Sequence, residues 1–346
     1  MSTDTAPIRA GEELDLRALS SFLSGKIPGA ANGITLEQFS GGHSNLTYLL
    51  HAGEMEYVLR RAPLGPVAPK AHDMAREFRV LDAVHPHFPP APRVHLLCED
   101  PGVIGAVFYL MERRRGIILR SASPAEYARD SEWGARASVA FVDCLAALHT
   151  IDIQGHGLIG LGKPEGYLER QVGGWSERWR RARTEEIPAM DDVMRYLADC
   201  LPASGPPALV HNDYKLDNIM LDPADPGRIS AVLDWEMATV GDPLSDVGLT
   251  LCYWLQAGQQ PIGSMPAAGG WFTREQIIHR YEDMTSRDLS GIGWYEVLGI
   301  FKLAVIVQQI YHRFFHGQTL DERFKDFHLR VRALIEAARQ RVDHAR

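Results

Sequence analysis

A chain of 346 residues is long enough for two lobes, since single hydrophobic cores stop growing near ~250–300 residues. Its 45% hydrophobic and 23% charged content excludes wholesale disorder, and a net charge of −8 with pI ≈ 6.0 argues against a general nucleic-acid binder, which carries a basic stripe. Cys98, Cys144, Cys200 and Cys252 never form a CxxC pair and read as buried reduced thiols rather than a disulfide framework or a zinc site. Met1 to Glu12 has neither the basic nor the apolar region of a secretory signal. The long apolar stretch Val297 to Phe315 is interrupted by Lys302, Gln308, Gln309 and His312, so it reads as a buried helix rather than a membrane span. The expectation is a cytoplasmic protein with no membrane or nucleic-acid partner.

In chain order, the first third predicts strands. Gly33–Phe39 alternates apolar and polar residues, Leu46–His51 follows a Gly/Ser turn, and Tyr57–Leu59 leads into Arg60 and Arg61. Ala71–Val84 has helical spacing through Met74, Phe78, Leu81 and Val84, and the prolines after Phe88 stop it. Arg93–Cys98 and Val107–Met111 are two further strands. From about residue 120 the pattern turns helical: Pro124–His149, with Ser123-Pro124 as a start signal, then Trp175–Glu185 and Ala189–Cys200. Two short strands, Ala208–Val210 and Ile229–Leu233, interrupt this pattern before helices resume from Asp246 to Arg346. The fold class expected is α+β, with a small antiparallel-sheet lobe over residues 1–113, a larger helical lobe over 114–346, and a hinge near Glu112–Gly116.

The chemistry concentrates where those two short strands end. His211 closes one strand, Asp213 follows, Asn218 lies five residues later, and Asp234 comes sixteen residues after that, directly behind the other strand. Magnesium is a hard cation that takes one or two protein carboxylates or carbonyls beside phosphate oxygens and water. Asn218 and Asp234 supply that share, which leaves Asp213 to accept or orient the proton of an attacking hydroxyl. Asp and Asn are also common turn residues, but the Asp-to-Asn spacing is that of the kinase catalytic loop, with a metal-binding Asp on the next hairpin.

His211-Asn212-Asp213-Tyr214-Lys215-Leu216-Asp217-Asn218, then Leu233-Asp234-Trp235-Glu236, then Gly241-Asp242-Pro243-Leu244-Ser245-Asp246, resemble the aminoglycoside phosphotransferase and choline kinase superfamily. The similarity is strongest to the branch related to the kinase-like domain of acyl-CoA dehydrogenase fusion proteins, and it covers about residues 35 to 315. The resemblance implies a bilobal protein-kinase-like fold and transfer of the γ-phosphate of ATP or GTP, with Mg²⁺, to a small-molecule hydroxyl. It casts Asp213 as catalytic base, Asn218 and Asp234 as metal ligands and His211 as a brace of the loop. Asp246 would accept hydrogen bonds from the loop backbone, or else cap the helix that it opens.

On the nucleotide side, Gly41, Gly42, Ser44 and Asn45 lie between two strands where kinases place a phosphate-covering loop, although Gly-Gly also makes a hairpin turn. Arg60 stands where kinases carry a strand lysine, with Arg61 as the alternative inward residue, and Glu77 is its helix partner. Met111 marks the segment whose backbone would meet an adenine ring. His85 and His87 flank a proline and read as surface residues; Trp175 and Trp179 share a helix face and read as packing, with a lining of the acceptor pocket as the alternative. The branch suggests a hydroxylated acyl or other metabolic alcohol as acceptor, while the oligomeric state is unreadable. A nucleotide-binding regulatory module without turnover is the competing reading, motivated by the arginine at position 60 and the degenerate glycine loop.

Overall fold

A computed structural model describes residues 4–39, 45–63, 73–119, 124–127, 129–254, 270–319 and 321–345. The chain divides into two compact units: Met1–Ile117 with Ser230–Met237, and Ile118–Ile229 with Ala238–Arg346. The division thus falls four residues beyond the expected 113/114 boundary, and eight residues from the middle of the sequence return to the first unit.

The first unit opens with β1 (Thr5–Ala6) and α1 (Leu16–Leu23), whose first turn is capped by Asp15 accepting from the amides of Arg17 and Ala18. It continues with β2 (Ile34–Phe39), β3 (Leu46–Ala52), β4 (Met55–Arg61), α2 (Met74–Val84), β5 (Val94–Cys98) and β6 (Phe108–Glu112). These strands form one antiparallel sheet in the order β1-β2-β3-β4-β6-β5. Side chains alternate faces along a strand. Tyr48 and Leu50, Tyr57 and Leu59, and Phe108 and Leu110 bury one face against Leu19 and Leu23 of α1. The same alternation sends Arg60 to the other face, opposite Tyr109 in the ladder between β4 and β6. Each strand expected in this unit is present within two residues at either end. α2 begins at Met74 rather than Ala71, behind its cap Asp73.

A two-residue strand, β7 (Ile117–Ile118), marks the passage into the second unit. That unit contains α3 (Trp133–His149), α4 (Tyr167–Ala182), α5 (Pro188–Asp199), β8 (Ala208–Val210), β9 (Ile219–Asp222), β10 (Asp225–Val232, from Ser230 in the first unit), β11 (Thr239–Gly241), α6 (Leu244–Tyr253), α7 (Arg274–Thr285), α8 (Ile292–Phe315) and α9 (Phe327–Ala345). Two helix boundaries correct the sequence reading. α3 starts at Trp133, not Pro124, because the proline segment makes only a single 3₁₀ turn at Ala125–Tyr127. α4 runs from Tyr167 to Ala182 rather than from Trp175 to Glu185, since Gly173-Gly174 lies inside the helix instead of ahead of it. The helix expected from Val297 to Phe315 is α8, buried through most of its first 14 residues by α4, α6 and α9. Gly248 allows the approach of α6 to α8: an added Cβ would lie 2.5 Å from the backbone of Tyr295. Among the described residues no helix is long and apolar enough to cross a membrane.

Candidate active site

In the second unit β8 pairs antiparallel with β11, Val210 opposite Thr239 and Ala208 opposite Gly241, so β8 ends beside the start of β11. Asp246, in the first turn of α6, is fully buried. Its two oxygens accept the amides of His211 at 2.6 Å and Asn212 at 2.7 Å, and His149 Nε2 approaches at 3.2 Å. Asp246 is therefore the anchor of the loop rather than a helix cap. Burial pushes its carboxyl up, but the bonds and charge of His149 and the loop amides outweigh this and hold it below its ordinary value. Tyr281 in turn holds His149, with its hydroxyl 2.7 Å from Nδ1.

Anchoring the two amides lets Asn212 adopt φ +65°, a left-handed conformation that asparagine tolerates better than most residues. The Asn212 side-chain oxygen accepts the Tyr167 hydroxyl at 2.8 Å and the Lys302 ammonium at 3.4 Å. The next residue is Asp213, whose amide donates to His211 Nδ1 at 3.3 Å. His211 is fully buried and so braces the loop from beneath, without touching solvent. Asn218 closes the loop: its Nδ2 donates to the Asp213 carbonyl at 2.9 Å and to the Asp213 carboxylate at 2.8 Å. Both bonds use the amide nitrogen, so Asn218 Oδ1 accepts no hydrogen bond among the described residues and is available to a hard cation. Lys215 Nζ sits 2.9–3.0 Å from both Asp213 oxygens. The structure thus brings Asp213, Asn218 and His211 into one hydrogen-bonded turn.

In the first unit, Arg60 lies between two acids. Its guanidinium is 3.4 Å from Glu77 and 3.0 Å from Asp234. Arg61 points the other way and donates to the carbonyl of Ile104 at 2.9 Å, so the strand register selects Arg60. Glu77 is 1% exposed and accepts the Trp235 amide at 3.1 Å, so it is not an exposed partner of Arg76 or Arg79. Burial pushes Glu77 up to about 7 against the pull of Arg60, with Asp234 and Glu236 adding to the rise. Burial would lower Arg60, yet Glu77, Tyr109 and Asp234 reverse this and keep it charged. Arg60 Nε and Glu77 Oε2 remain buried without hydrogen-bond partners, which leaves the cluster with unused polar capacity.

Asp234 has φ +66°, the second acid or amide of the motif set in the left-handed region. Behind it, Trp235 packs edge-on against Phe88 and donates its indole N–H to the Val232 carbonyl at 2.8 Å. Asn45 Nδ2 reaches Glu236 at 3.1 Å, which ties the start of β3 to this segment. Gly41, Gly42 and Ser44 lie outside the described residues. Met111 is a buried ladder residue between Val58 and Val94, and the chain leaves the sheet after Glu112.

Sequence reasoning missed Lys215, Tyr167, His149 and Lys302. Lys215 had a readable signal, because a residue two beyond Asp213 in extended backbone returns to the same side. The others reach the loop from three different helices, and no local spacing announces them. Trp175 and Trp179 are both buried, in agreement with the packing assignment. Among the described residues no group of three or more His, Cys, Asp or Glu forms a metal cluster.

Residues 35–280 match the model of the phosphotransferase enzyme family. The chain is similar to acyl-CoA dehydrogenase family member 11 of Rattus norvegicus, 35% identical over 338 residues that make up 93% of this chain and 42% of the relative. It therefore spans less than half the length of that protein. A solved structure from Ralstonia eutropha, named as a candidate aminoglycoside phosphotransferase, is 32% identical with a TM-score of 0.80, covering 96% of this chain and 99% of that one. Choline kinase of Cryptosporidium parvum is 12% identical with a TM-score of 0.66, covering 95% and 96%, and shares the fold alone.

Proposed function

Because this chain belongs to the phosphotransferase enzyme family, whose members act on hydroxyl groups, we propose that it transfers the γ-phosphate of ATP or GTP to the hydroxyl of a small metabolic alcohol. The observation that carries this reading is the Asp213 turn, a carboxylate held in place by Asn218 and Lys215 on a backbone fixed through Asp246. A module that only binds nucleotide has no physical need for a carboxylate so oriented.

The donor set fits magnesium: Asn218 Oδ1 and the Asp234 carboxylate are hard oxygen donors, and these two residues would hold the ion. When bound, magnesium neutralises charge on the β- and γ-phosphates. Arg60, braced by Glu77, gives the same side of the reaction a fixed positive charge. Asp213 accepts the hydrogen bond of the acceptor hydroxyl and takes its proton as the oxygen–phosphorus bond forms and the bond to the departing nucleoside diphosphate breaks. Lys215 keeps the Asp213 carboxylate pointed and charge-balanced. His211 and Asp246 orient the loop without touching reactants. In the same reading Gly41, Gly42, Ser44 and Asn45 would cover the phosphates, and the chain leaving the sheet after Met111 would border the base.

The test is consumption of ATP and GTP with Mg²⁺ across a library of hydroxyl compounds, including hydroxyacyl thioesters. Acceptor-dependent consumption that is lost in Asp213→Ala supports the reading. Nucleotide binding without consumption for any acceptor would instead favour the silent regulatory module.

A further inference from the structure

α8 carries Lys302 in the part of the helix that is buried on all sides, and the residue is 2% exposed. A buried ammonium has three N–H donors to satisfy and is costly to hold without an anion. Its one hydrogen-bond partner among the described residues is Asn212 Oδ1, at 3.4 Å. Its other close neighbour is the ring of Trp175, 5.6 Å from Nζ to the centroid. The same ring carries a second cation: the Arg178 guanidinium lies 4.4 Å from its centroid. Neither Lys302 nor Arg178 makes an ion pair among the described residues, although Arg180 and Arg181, on the same helix, both pair with Glu177. Burial pushes Lys302 down, and Asp246 and Asp213 pull it only partly back. In a chain with 44 acidic and 36 basic residues, two cations without acidic partners beside one tryptophan are a departure from the usual pairing.

α4 supplies an independent observation. Gly173 and Gly174 sit in the middle of this 16-residue helix, and a Cβ added at either would meet nothing within 4 Å. Interior helix glycines destabilise a helix relative to alanine, and neither packing nor backbone conformation demands these two. Gly174 shares a helix face with Arg178, four residues on. Gly174 thus leaves the helix bare beside Arg178.

We infer that Lys302, Arg178 and the bare backbone at Gly174 of α4 form a subsite for an anionic group on the acceptor, a carboxylate or a phosphate ester joined to the carbon chain that bears the reactive hydroxyl. The inference deepens the phosphotransferase reading and rests on it for the word acceptor. Lys302 ties the subsite to the loop, because the residue that receives its hydrogen bond immediately precedes Asp213. A polycationic acceptor is excluded by the same two charges.

Binding of four probes, in the presence of saturating Mg²⁺ and ADP, tests the subsite: 3-hydroxybutyrate, glycerol 3-phosphate, choline and the neutral 1,3-propanediol. Calorimetric titration should detect one of the two anions and neither of the others, and the anion that binds tells carboxylate from phosphate. Arg178→Gln and Lys302→Met should each weaken that anion by about 10- to 100-fold, the usual value of a charge-assisted hydrogen bond. Gly174→Leu should block it while raising the melting temperature. Arg178 and Gly174 are exposed, so their variants keep the test valid if Lys302→Met does not fold. No anion binding, binding indifferent to Arg178→Gln and Gly174→Leu, or a preference for choline would each overturn the inference. Nucleotide consumption measured in parallel separates the two readings. Phosphate transfer to neutral or cationic alcohols, unaffected by these variants, sinks the subsite alone. Anion binding through Arg178 without any transfer sinks the phosphotransferase reading alone.

Discussion

The Asp213 turn and the Arg60 cluster are both buried polar constructions, but they are built on opposite plans. In the turn, four bonds tie side chains to the backbone: Asp246 takes two amides, Asn218 grips a carbonyl, and His211 takes the Asp213 amide. In the Arg60 cluster, charges face charges, and Arg60 Nε and Glu77 Oε2 are left with nothing to bond. Side chain-to-backbone bonds fix one geometry. Charge clusters with unfilled capacity can accept a further charged group. Under the proposed phosphotransfer the difference would give them different work: the turn would hold the reacting group still, and the cluster would take up polyphosphate.

Substitutions at three residues sharpen that contrast. Asp213→Ala should lower turnover by roughly 10²–10⁴, the usual share of a general base, with little change in nucleotide affinity. Steady-state kinetics and nucleotide titration would expose a joint loss of both, which would erase the division of labour. Asp246→Ala should cost about 1–3 kcal/mol of stability for each donor left unsatisfied, because two loop amides and His149 lose their acceptor. Urea unfolding measures this. The pH dependence follows from the lowered folded pKa of Asp246: its contribution is complete above the ordinary value of 3.8 and is lost as pH falls through the lower folded value. Asp246→Asn should therefore flatten the acid limb of the stability curve and leave neutral pH less stable than wild type. Stability unchanged at both pH values would mean that the loop does not depend on this anchor.

The smallest effect is expected at Arg60→Lys, which keeps the charge but cannot reach Glu77 and Asp234 at once. Nucleotide affinity should weaken by about tenfold, or ~1.4 kcal/mol, with stability near wild type. A large loss of stability with unchanged affinity would show instead that the cluster is structural glue.

Much of the fold was legible because its signals are local. Alternating side chains in Ile34–Phe39 and Leu46–Ala52, and helical spacing in Met74–Val84, are imposed by burial on one face. The two helix starts that were misread, at Trp133 and Tyr167, lie where proline and glycine punctuate the chain without breaking it where they usually do. The site was legible to the extent that its members share a turn or follow a strand, as Asp213, Asn218 and Asp234 do.

The sequence by itself determined the order of sheet and helices, the family, and which acids and amide of the candidate site share a turn or follow a strand, since all of these depend on residue type and short spacing. Only the tertiary structure decided that Arg60 rather than Arg61 meets Glu77, that Asp246 anchors two amides instead of capping a helix, and that Lys302 and Arg178 share one tryptophan. Those outcomes depend on strand register and on the packing of helices far apart in the chain, where a one-residue slip or a different crossing would change every partner without altering any local pattern.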